Sequence, residues 1–164
     1  MKKTAGIATI LISVLALTGC GASGSGAPTR NIKQVTDGVE AQSGSINIRD
    51  IVLVTQADGS AALVGTFVNE DATPDALTGI TVAGIPVKLS ASSFNLAQNT
   101  PVIFSGDSAN AIGTVPGLTA VAGTRVDVVV TFAHASSVTL NAIVRAKSDY
   151  FASVGGTPTP TATK

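Results

Sequence analysis

Apolar and polar residues alternate most clearly near the end of the chain. Over residues 124–132, the apolar residues Val126, Val128, Val130 and Phe132 alternate with Asp127, Val129 and Thr131, and residues 138–145 repeat the pattern. A period of two is typical of a β-strand with one buried face. Because the short segment His134-Ala135-Ser136-Ser137 links the two runs, they predict an antiparallel hairpin.

Shorter apolar runs, separated by turn-forming residues, precede this hairpin. The turn around Asp58-Gly59 is expected because both residues tolerate positive φ, and Leu63 and Phe67 are expected to face inward. The last segment, residues 147–154, predicts either a short helical turn or an edge strand. Many short strands and no helical period predict an all-β sandwich or barrel. The predicted strands before the hairpin are residues 46–49, 51–54 (apolar on both faces), 61–69, 76–82, 86–90, 100–104 and 111–115.

The amino-terminal residues have the layout of a secretory signal peptide. Lys2 and Lys3 precede residues 4–19, an uncharged stretch of 16 residues rich in Ile, Leu and Val. This is shorter than the roughly 20 residues that span a bilayer as a helix. The stretch ends in Leu17-Thr18-Gly19-Cys20, which resembles the bacterial lipobox. The resemblance implies diacylglyceryl transfer to the Cys20 sulfur and cleavage between Gly19 and Cys20; an ordinary signal peptide with a chance cysteine is the alternative.

A lipid on Cys20 would anchor the mature chain to the cell membrane at its extracytoplasmic face. One acyl chain holds a protein only marginally, at about 0.8 kcal/mol per buried CH₂, whereas two chains hold it stably. Without residues 1–19, eight basic and ten acidic residues remain. This balance gives no attraction to anionic lipid headgroups, so the lipid alone is expected to hold the protein.

The composition divides the chain into four predicted segments. Residues 1–19 are the lipoprotein signal peptide, and residues 20–41 comprise the lipidated cysteine and a Gly/Ser-rich flexible tether. Residues 42–154 form the predicted β-sandwich domain. Residues 155–164 are a Thr/Pro-rich tail, predicted to be disordered, with O-glycosylation as the alternative role.

Charge and side-chain chemistry exclude several functions. Ten Lys+Arg balance ten Asp+Glu, so the clustered basic excess of a nucleic-acid binder is missing. The single Cys, His and Met provide little for metal or acid–base chemistry. His134 is interpreted as an ordinary turn residue, and Glu70, Asp71 and Asp75 match no calcium-loop spacing. We therefore predict no enzymatic activity, no cofactor and no metal site.

Several stretches together resemble the PCuAC family of periplasmic copper chaperones, and more closely its actinobacterial lipoprotein relatives. The likeness extends over about residues 46–144 and implies a cupredoxin-like or immunoglobulin-like β-sandwich, in agreement with the alternation. The stretches are Ala61–Asn69, Asp75–Ile80, Pro116–Leu118, Ala122–Phe132 and Val138–Leu140.

The resemblance also implies where copper would bind in such a fold. The family's Cu(I) site uses His and Met, and the corresponding positions here fall near Ser90 and within residues 101–104, after the turn at residues 96–99. None of these positions holds His, Met or Cys. Because soft ligands select Cu(I), the resemblance implies a shared fold that lacks the family's copper ligands.

Two functions of different classes follow. The first is a lipid-anchored, non-enzymatic binding or scaffolding module of the bacterial cell envelope, which contacts an unidentified envelope protein through loops or an exposed edge strand. The second is a copper chaperone or metal-linked assembly factor with a non-standard site, such as one shared through His134 across a dimer. A Cu(I) titration distinguishes the two.

Overall fold

Residues 37–155 are described by the structure, a computed structural model, and they belong to one compact unit. Their secondary structure is almost entirely β. The strands are β1 (Val39–Ser43), β2 (Ile46–Thr55), β3 (Ala61–Asn69), β4 (Asp75–Val82), β5 (Ile85–Pro86), β6 (Lys88–Leu89), β7 (Phe94–Leu96), β8 (Val102–Ile103), β9 (Gly113–Val115), β10 (Arg125–Phe132) and β11 (Val138–Arg145), and a 3-10 turn (Asp149–Phe151) follows them.

The strands form one sheet that wraps around the core. Its hydrogen-bonded order is β5-β4-β10-β11-β2-β3-β9-β6, with β1 on β2, β7 on β4 and β8 on β3. Along the chain, Val87 alone separates β5 from β6, which lie at the two ends of this order. The sheet therefore folds over into facing layers, which confirms the predicted all-β, cupredoxin-like or immunoglobulin-like sandwich. Within the described residues, no helix is long and apolar enough to cross a membrane.

The predicted hairpin is confirmed in strands β10 and β11. They pair antiparallel from Arg125 opposite Ile143 to Val130 opposite Val138. Val128, Val130 and Phe132 are buried, as the alternation predicts. The other edge of β10 pairs with β4, so this hairpin lies in the middle of the sheet.

A β-bulge in β2 changes which residues face the core. The pairing of β2 with β3 shifts between Arg49 and Val52, and Asp50 between them has a φ of 60°. One extra residue reverses the alternation of a strand. The inward side chains are therefore Ile46 and Ile48 before the bulge and Ile51 and Leu53 after it.

The opposite face of β2 is also buried, as predicted for residues 51–54. Val52 and Val54 pack with Phe151 and Val154 in a second, smaller apolar cluster. Phe151 belongs to the 3-10 turn, so the last segment forms the helical turn rather than the edge strand. That turn covers a β2 face that would otherwise be open to water.

Aromatic rings fill the core near the short strands. Phe67 on β3 is fully buried, and Leu63 on the same face is nearly so, as predicted. The Phe67 ring contacts Phe104 edge-on, with the ring centroids 5.8 Å apart. Phe104 in turn contacts Phe94 at 5.7 Å. These rings connect the main core to the region that contains β6, β7, β8 and β9.

The strand predictions are wrong in detail across that region. The strand expected over residues 86–90 is divided into β5 and β6 around Val87, whose N–H donates to Ile80 O at 2.9 Å. Only Val102–Ile103 is paired within the strand expected over residues 100–104, and only Gly113–Val115 within residues 111–115. β7 has no counterpart among the predicted strands. These segments are too short for an alternation to develop.

Strand β1 begins inside the range predicted as tether. Val39 pairs with Ile51 and Ser43 with Ile46, so the sheet starts before residue 42. The Ser43 hydroxyl, in a largely buried residue, donates to Ser136 O at 2.6 Å. The sequence Val-Glu-Ala-Gln-Ser alternates apolar and polar residues, as its burial does, but with only Val39 and Ala41 as apolar members it is too short to predict a strand. The predicted signal peptide, Cys20 and the tail beyond residue 155 lie outside the described residues.

Candidate functional site

The positions that the PCuAC resemblance assigns to copper ligands come together at one edge of the sandwich. The N–H of Ser90 donates to Ile112 O at 2.9 Å, and the N–H of Ile112 donates to Ser90 Oγ at 3.0 Å. The N–H groups of Asn110 and Ala111 donate to Ile103 O at 3.0 and 3.1 Å. Residues 110–112 therefore link Ser90 to the 101–104 segment. We call this set the corner: Ser90, residues 101–104 and residues 110–112.

Side-chain hydrogen bonds hold the corner where strand pairing is short. Asn110 Oδ1 accepts from the N–H of Ile103 at 2.8 Å, and its Nδ2 donates to Pro101 O at 2.9 Å. The N–H of Phe104 donates to Gly65 O at 3.0 Å. Backbone groups that lack a ladder partner need another partner, and Asn110 provides one for two of them.

The corner residues do not fit a Cu(I) ion. Ser90 provides a hydroxyl that already accepts a hydrogen bond, and residues 101–104 are Pro-Val-Ile-Phe. Residues 37–155 contain no Cys or Met, and His134 is their only imidazole. In this range no group of three His, Cys, Asp or Glu side chains could hold a metal. Cu(I) prefers thiolate, thioether and imidazole donors, so the side chains of the corner provide no ligand for it.

His134 lies beside Asp75 in the loop of the β10–β11 hairpin. Its Nδ1 is 3.4 Å from Asp75 Oδ1, and its side chain is 80% exposed, against 10% for Asp75. The Asp75 carboxylate accepts from the N–H groups of Ala76 at 2.6 Å, His134 at 3.0 Å and Ala135 at 2.8 Å. It therefore joins the start of β4 to the hairpin loop.

The environment of Asp75 has opposing effects on its pKa. Burial raises the pKa of the carboxyl, but the backbone N–H donors of Ala76, Ala135 and His134, together with the His134 ring, lower it by more. The pKa of Asp75 therefore lies below its ordinary value, and the carboxylate stays ionised at neutral pH. This charge is used to hold two segments together.

Asp71, another acid of the predicted cluster, also stabilises a turn. Asp71 Oδ1 accepts from the N–H of Thr73 at 2.8 Å, and the N–H of Asp71 donates to Asn69 Oδ1 at 3.0 Å. With Asp75 directed at the hairpin loop, the structure does not bring Glu70, Asp71 and Asp75 together as a metal site. Their proximity in sequence reflects a tight connection between β3 and β4.

Sequence reasoning missed the role of Asn69, which is almost fully buried. Its Nδ2 donates to Thr73 O at 2.8 Å and to Leu96 O at 3.0 Å. Its Oδ1 accepts from Ser45 Oγ at 3.1 Å and from the N–H of Asp71. The signal was in the sequence, because Asn69 is in phase with the inward residues Leu63 and Phe67. A polar residue at an inward position must find buried partners.

A groove of about 1060 Å³ adjoins the corner. Two turns contribute to its lining, one around Asp58 and one around Asp107, as do Ser153 and Gly155 near the end of the described chain. Phe104, Ala111 and Ile112 line the groove as well as belonging to the corner. The other lining residues are Gln56, Ala57, Ser60, Ala62, Leu63, Ser105, Gly106, Ala109, Gly113, Thr114 and Lys147.

The charged groups of the groove are two carboxylates and one ammonium. Asp58 Oδ1 accepts from Ser60 Oγ at 2.7 Å and from the N–H of Ser60 at 3.0 Å. These bonds, with a smaller contribution from the charge of Lys147, lower the pKa of Asp58. Lys147 Nζ donates to Gln56 Oε1 at 2.9 Å. Asp107 completes the charged lining, so carboxylates outnumber cations there.

Comparison with solved structures shows that this fold is that of PCuAC domains. The structure titled "Copper-bound PCuAC domain from PmoF2" aligns with a TM-score of 0.57 at 21% identity, covering 66% of this chain and 98% of that one. An apo PCuAC domain from PmoF1 aligns with a TM-score of 0.57 at 17% identity, covering 66% and 99%. The apo PmoF2 PCuAC domain gives 0.55 at 19%, covering 68% and 98%.

The predicted PCuAC resemblance is therefore confirmed for the fold. No family model matches the sequence, and no curated protein matches it. At these identities the fold is shared while the side chains are largely different.

Proposed function

We propose that this chain is a non-enzymatic, extracytoplasmic module of the cell envelope that serves copper-linked assembly by contacting a partner. The PCuAC fold supports the link to copper, since one aligned domain is described as copper-bound. The corner supports a role through contact: Ser90 and residues 101–104 converge there without a thiolate, thioether or imidazole. That convergence without soft ligands is the observation that carries the proposal.

The absence of enzymatic activity is part of the same proposal. The only imidazole, His134, is largely exposed and lies beside Asp75, whose carboxylate is taken up by backbone N–H groups. A hydrolytic triad needs an imidazole between a nucleophile and an orienting acid. The arrangement around His134 supports a structural role for this pair.

A Cu(I) competition titration tests the absence of an intrinsic site. The chain from residue 20 onward, carrying Cys20→Ser, is titrated against a Cu(I) chelator with and without His134→Ala. We expect no stoichiometric copper and no difference between the two. Tight one-to-one binding would instead make the chain a copper chaperone with a site of its own. One copper per two chains, lost with His134→Ala, would indicate a site shared across a dimer.

Contact with a partner is tested at Ile112, a partly exposed apolar residue shared by the corner and the groove. Ile112→Asp should abolish in-cell crosslinking to envelope proteins and lower the copper content of membrane copper enzymes. Val121→Asp is the matched control, because Val121 is more exposed but lies outside the corner. Equal effects of the two variants would contradict a role for the corner.

Attachment to the membrane through lipid on Cys20 is the remaining part of the proposal. It is supported by Leu17-Thr18-Gly19-Cys20 after an uncharged apolar stretch. In cells fed a fatty-acid analogue, the wild type should take up label and fractionate with membranes, whereas Cys20→Ala should do neither. Label on the variant would contradict lipidation at this residue.

A further inference from the structure

The last described residue of the chain is held against the wall of the groove. Gly155 lines the groove, and a Cβ added to it would lie 2.7 Å from Gln56 Oε1. Gln56 Oε1 also accepts from Lys147 Nζ. Just before it, Val154 is buried in the small cluster with Phe151. These contacts determine where the chain leaves the sandwich, and that point lies in the groove.

The sequence that follows has the opposite charge to the groove. Residues 156–164 contain one charged side chain, Lys164, and no Asp or Glu. Asp58 and Asp107 line the groove, and the one cation in its lining, Lys147, already donates to Gln56. The segment is otherwise Gly, Thr, Pro and Ala. Small side chains allow its backbone to approach a lining that is itself rich in Ala, Gly and Ser.

We propose that the groove is the docking site of residues 156–164, with the Lys164 ammonium between the carboxylates of Asp58 and Asp107. Nine residues in an extended Pro-rich form reach about 28 Å at about 3.1 Å each. A cube of about 1060 Å³ has an edge of about 10 Å, so the segment is long enough to cross the groove.

Tethering favours this occupant over a separate peptide. A segment joined at the groove has an effective concentration on the order of millimolar. The attraction between one ammonium and two exposed carboxylates is weak, so contacts of the segment's backbone and small side chains with the lining have to add to it. A cationic peptide from another protein lacks this advantage.

Paramagnetic relaxation measured by NMR tests the docking. A nitroxide is attached through Thr163→Cys in the chain from residue 20 onward, with Cys20→Ser so that the label has a single attachment site. We expect the amide signals of Asp58 and Asp107 to lose intensity, while that of Thr81 on β4 does not. Raising the salt concentration shortens the screening length from about 10 Å at 0.1 M to about 3 Å at 1 M, so the signals should recover.

Two charge variants separate docking from chance proximity. Lys164→Glu should restore the Asp58 and Asp107 signals, whereas Lys33→Glu, with the same change in net charge, should not. Attenuation that is absent, or that is unaffected by Lys164→Glu, would overturn the proposal.

A second measurement avoids the label. A chain ending at Gly155 should show shifted amide signals over residues 105–109, and a synthetic peptide of residues 156–164 at millimolar concentration should reverse those shifts. Unchanged signals on truncation would overturn the proposal. It would also be overturned if only unrelated cationic peptides bound the truncated chain. None of these measurements involves copper or a partner, so their failure would leave the proposed function standing.

Discussion

The β10–β11 hairpin and the corner belong to the same sheet but are stabilised differently. The hairpin has a continuous antiparallel ladder and buries every second side chain. In the corner, the two-residue strand β8 and the chain leading into β9 are held by the side chains of Asn110 and Ser90. The hairpin depends on the packing of its apolar face rather than on particular polar side-chain atoms. The corner depends on particular polar atoms, so its sequence is constrained at single positions.

The largest expected effect belongs to the hairpin. Phe132→Ala should lower the free energy of unfolding by about 3–5 kcal/mol, which is typical of a buried Phe and a large part of the roughly 5–15 kcal/mol of a domain. Urea unfolding measures the change. Asp127→Ala is the control on the opposite face, because its carboxylate accepts only an exposed hydrogen bond from Asn141. Comparable losses at the two positions would contradict the assigned faces.

This contrast explains which parts of the fold could be predicted from sequence. Strands β3 and β11 match their predicted bounds because alternation over eight or nine residues identifies both the strand and its inward face. The bulge at Asp50 was not predicted. The run at residues 51–54 was predicted to be apolar on both faces, and Phe151 and Val154 cover its outer face. β1 was missed because it has only two apolar residues, although its partner β2 follows directly after a tight turn. β7 was missed because its three residues pair with β4, a distant partner. A local pattern cannot report such partners.

The candidate site was predictable only through the family resemblance. That resemblance identified Ser90 and residues 101–104, and the structure brings them together through residues 110–112. The groove had no sequence signal, because the turns around Asp58 and Asp107 are far apart in the chain and become neighbours only in the folded sheet. Asn69 could have been identified from its inward phase on β3.

The next largest effect is expected at Asn69, which serves the β3–β4 connection and β7. Asn69→Ala removes four hydrogen bonds, among them the buried one to Leu96 O, so we expect a loss of about 1–3 kcal/mol. Chemical denaturation measures it. Asn95→Ala on β7 changes an exposed amide and should cost much less. If both variants unfolded at the same denaturant concentration, the buried hydrogen bonds of Asn69 would contribute no more to stability than the exposed amide of Asn95.

A pH dependence distinguishes the hairpin loop from its strands. Because the pKa of Asp75 is lowered from its ordinary 3.8 in the folded state, its contribution is fully present above about pH 4 and is lost as the pH falls through the lowered value. Asp75→Asn places an NH₂ group against N–H donors and should be less stable than the wild type at neutral pH. Thermal unfolding between pH 7 and acid should show this difference shrinking as the pH falls.

The control for this pH dependence is His134→Ala. The backbone N–H groups of residues 76, 134 and 135 remain in that variant, and the His134 ring is the smallest of the causes that lower the pKa of Asp75. The variant should therefore keep most of the acid dependence of the wild type. If His134→Ala removed as much of it as Asp75→Asn, the imidazole rather than the backbone would hold the carboxylate.

The smallest effect tests the corner itself. Asn110→Ala should cost about 0.5–1.5 kcal/mol, the typical net contribution of a hydrogen bond, because Asn110 is exposed and water can replace part of what is lost. Asn110→Asp keeps the acceptor for the N–H of Ile103 but loses the donor to Pro101 O, so the Ile103 amide should stay better protected in it than in Asn110→Ala.

Hydrogen exchange provides the decisive readout, since regions of one fold open with different free energies. In Asn110→Ala the Ile103 amide should exchange faster while that of Val129 in β10 stays protected. Equal acceleration at both amides would mean that the corner and the hairpin open as one unit, and the contrast between them would then not extend to their dynamics.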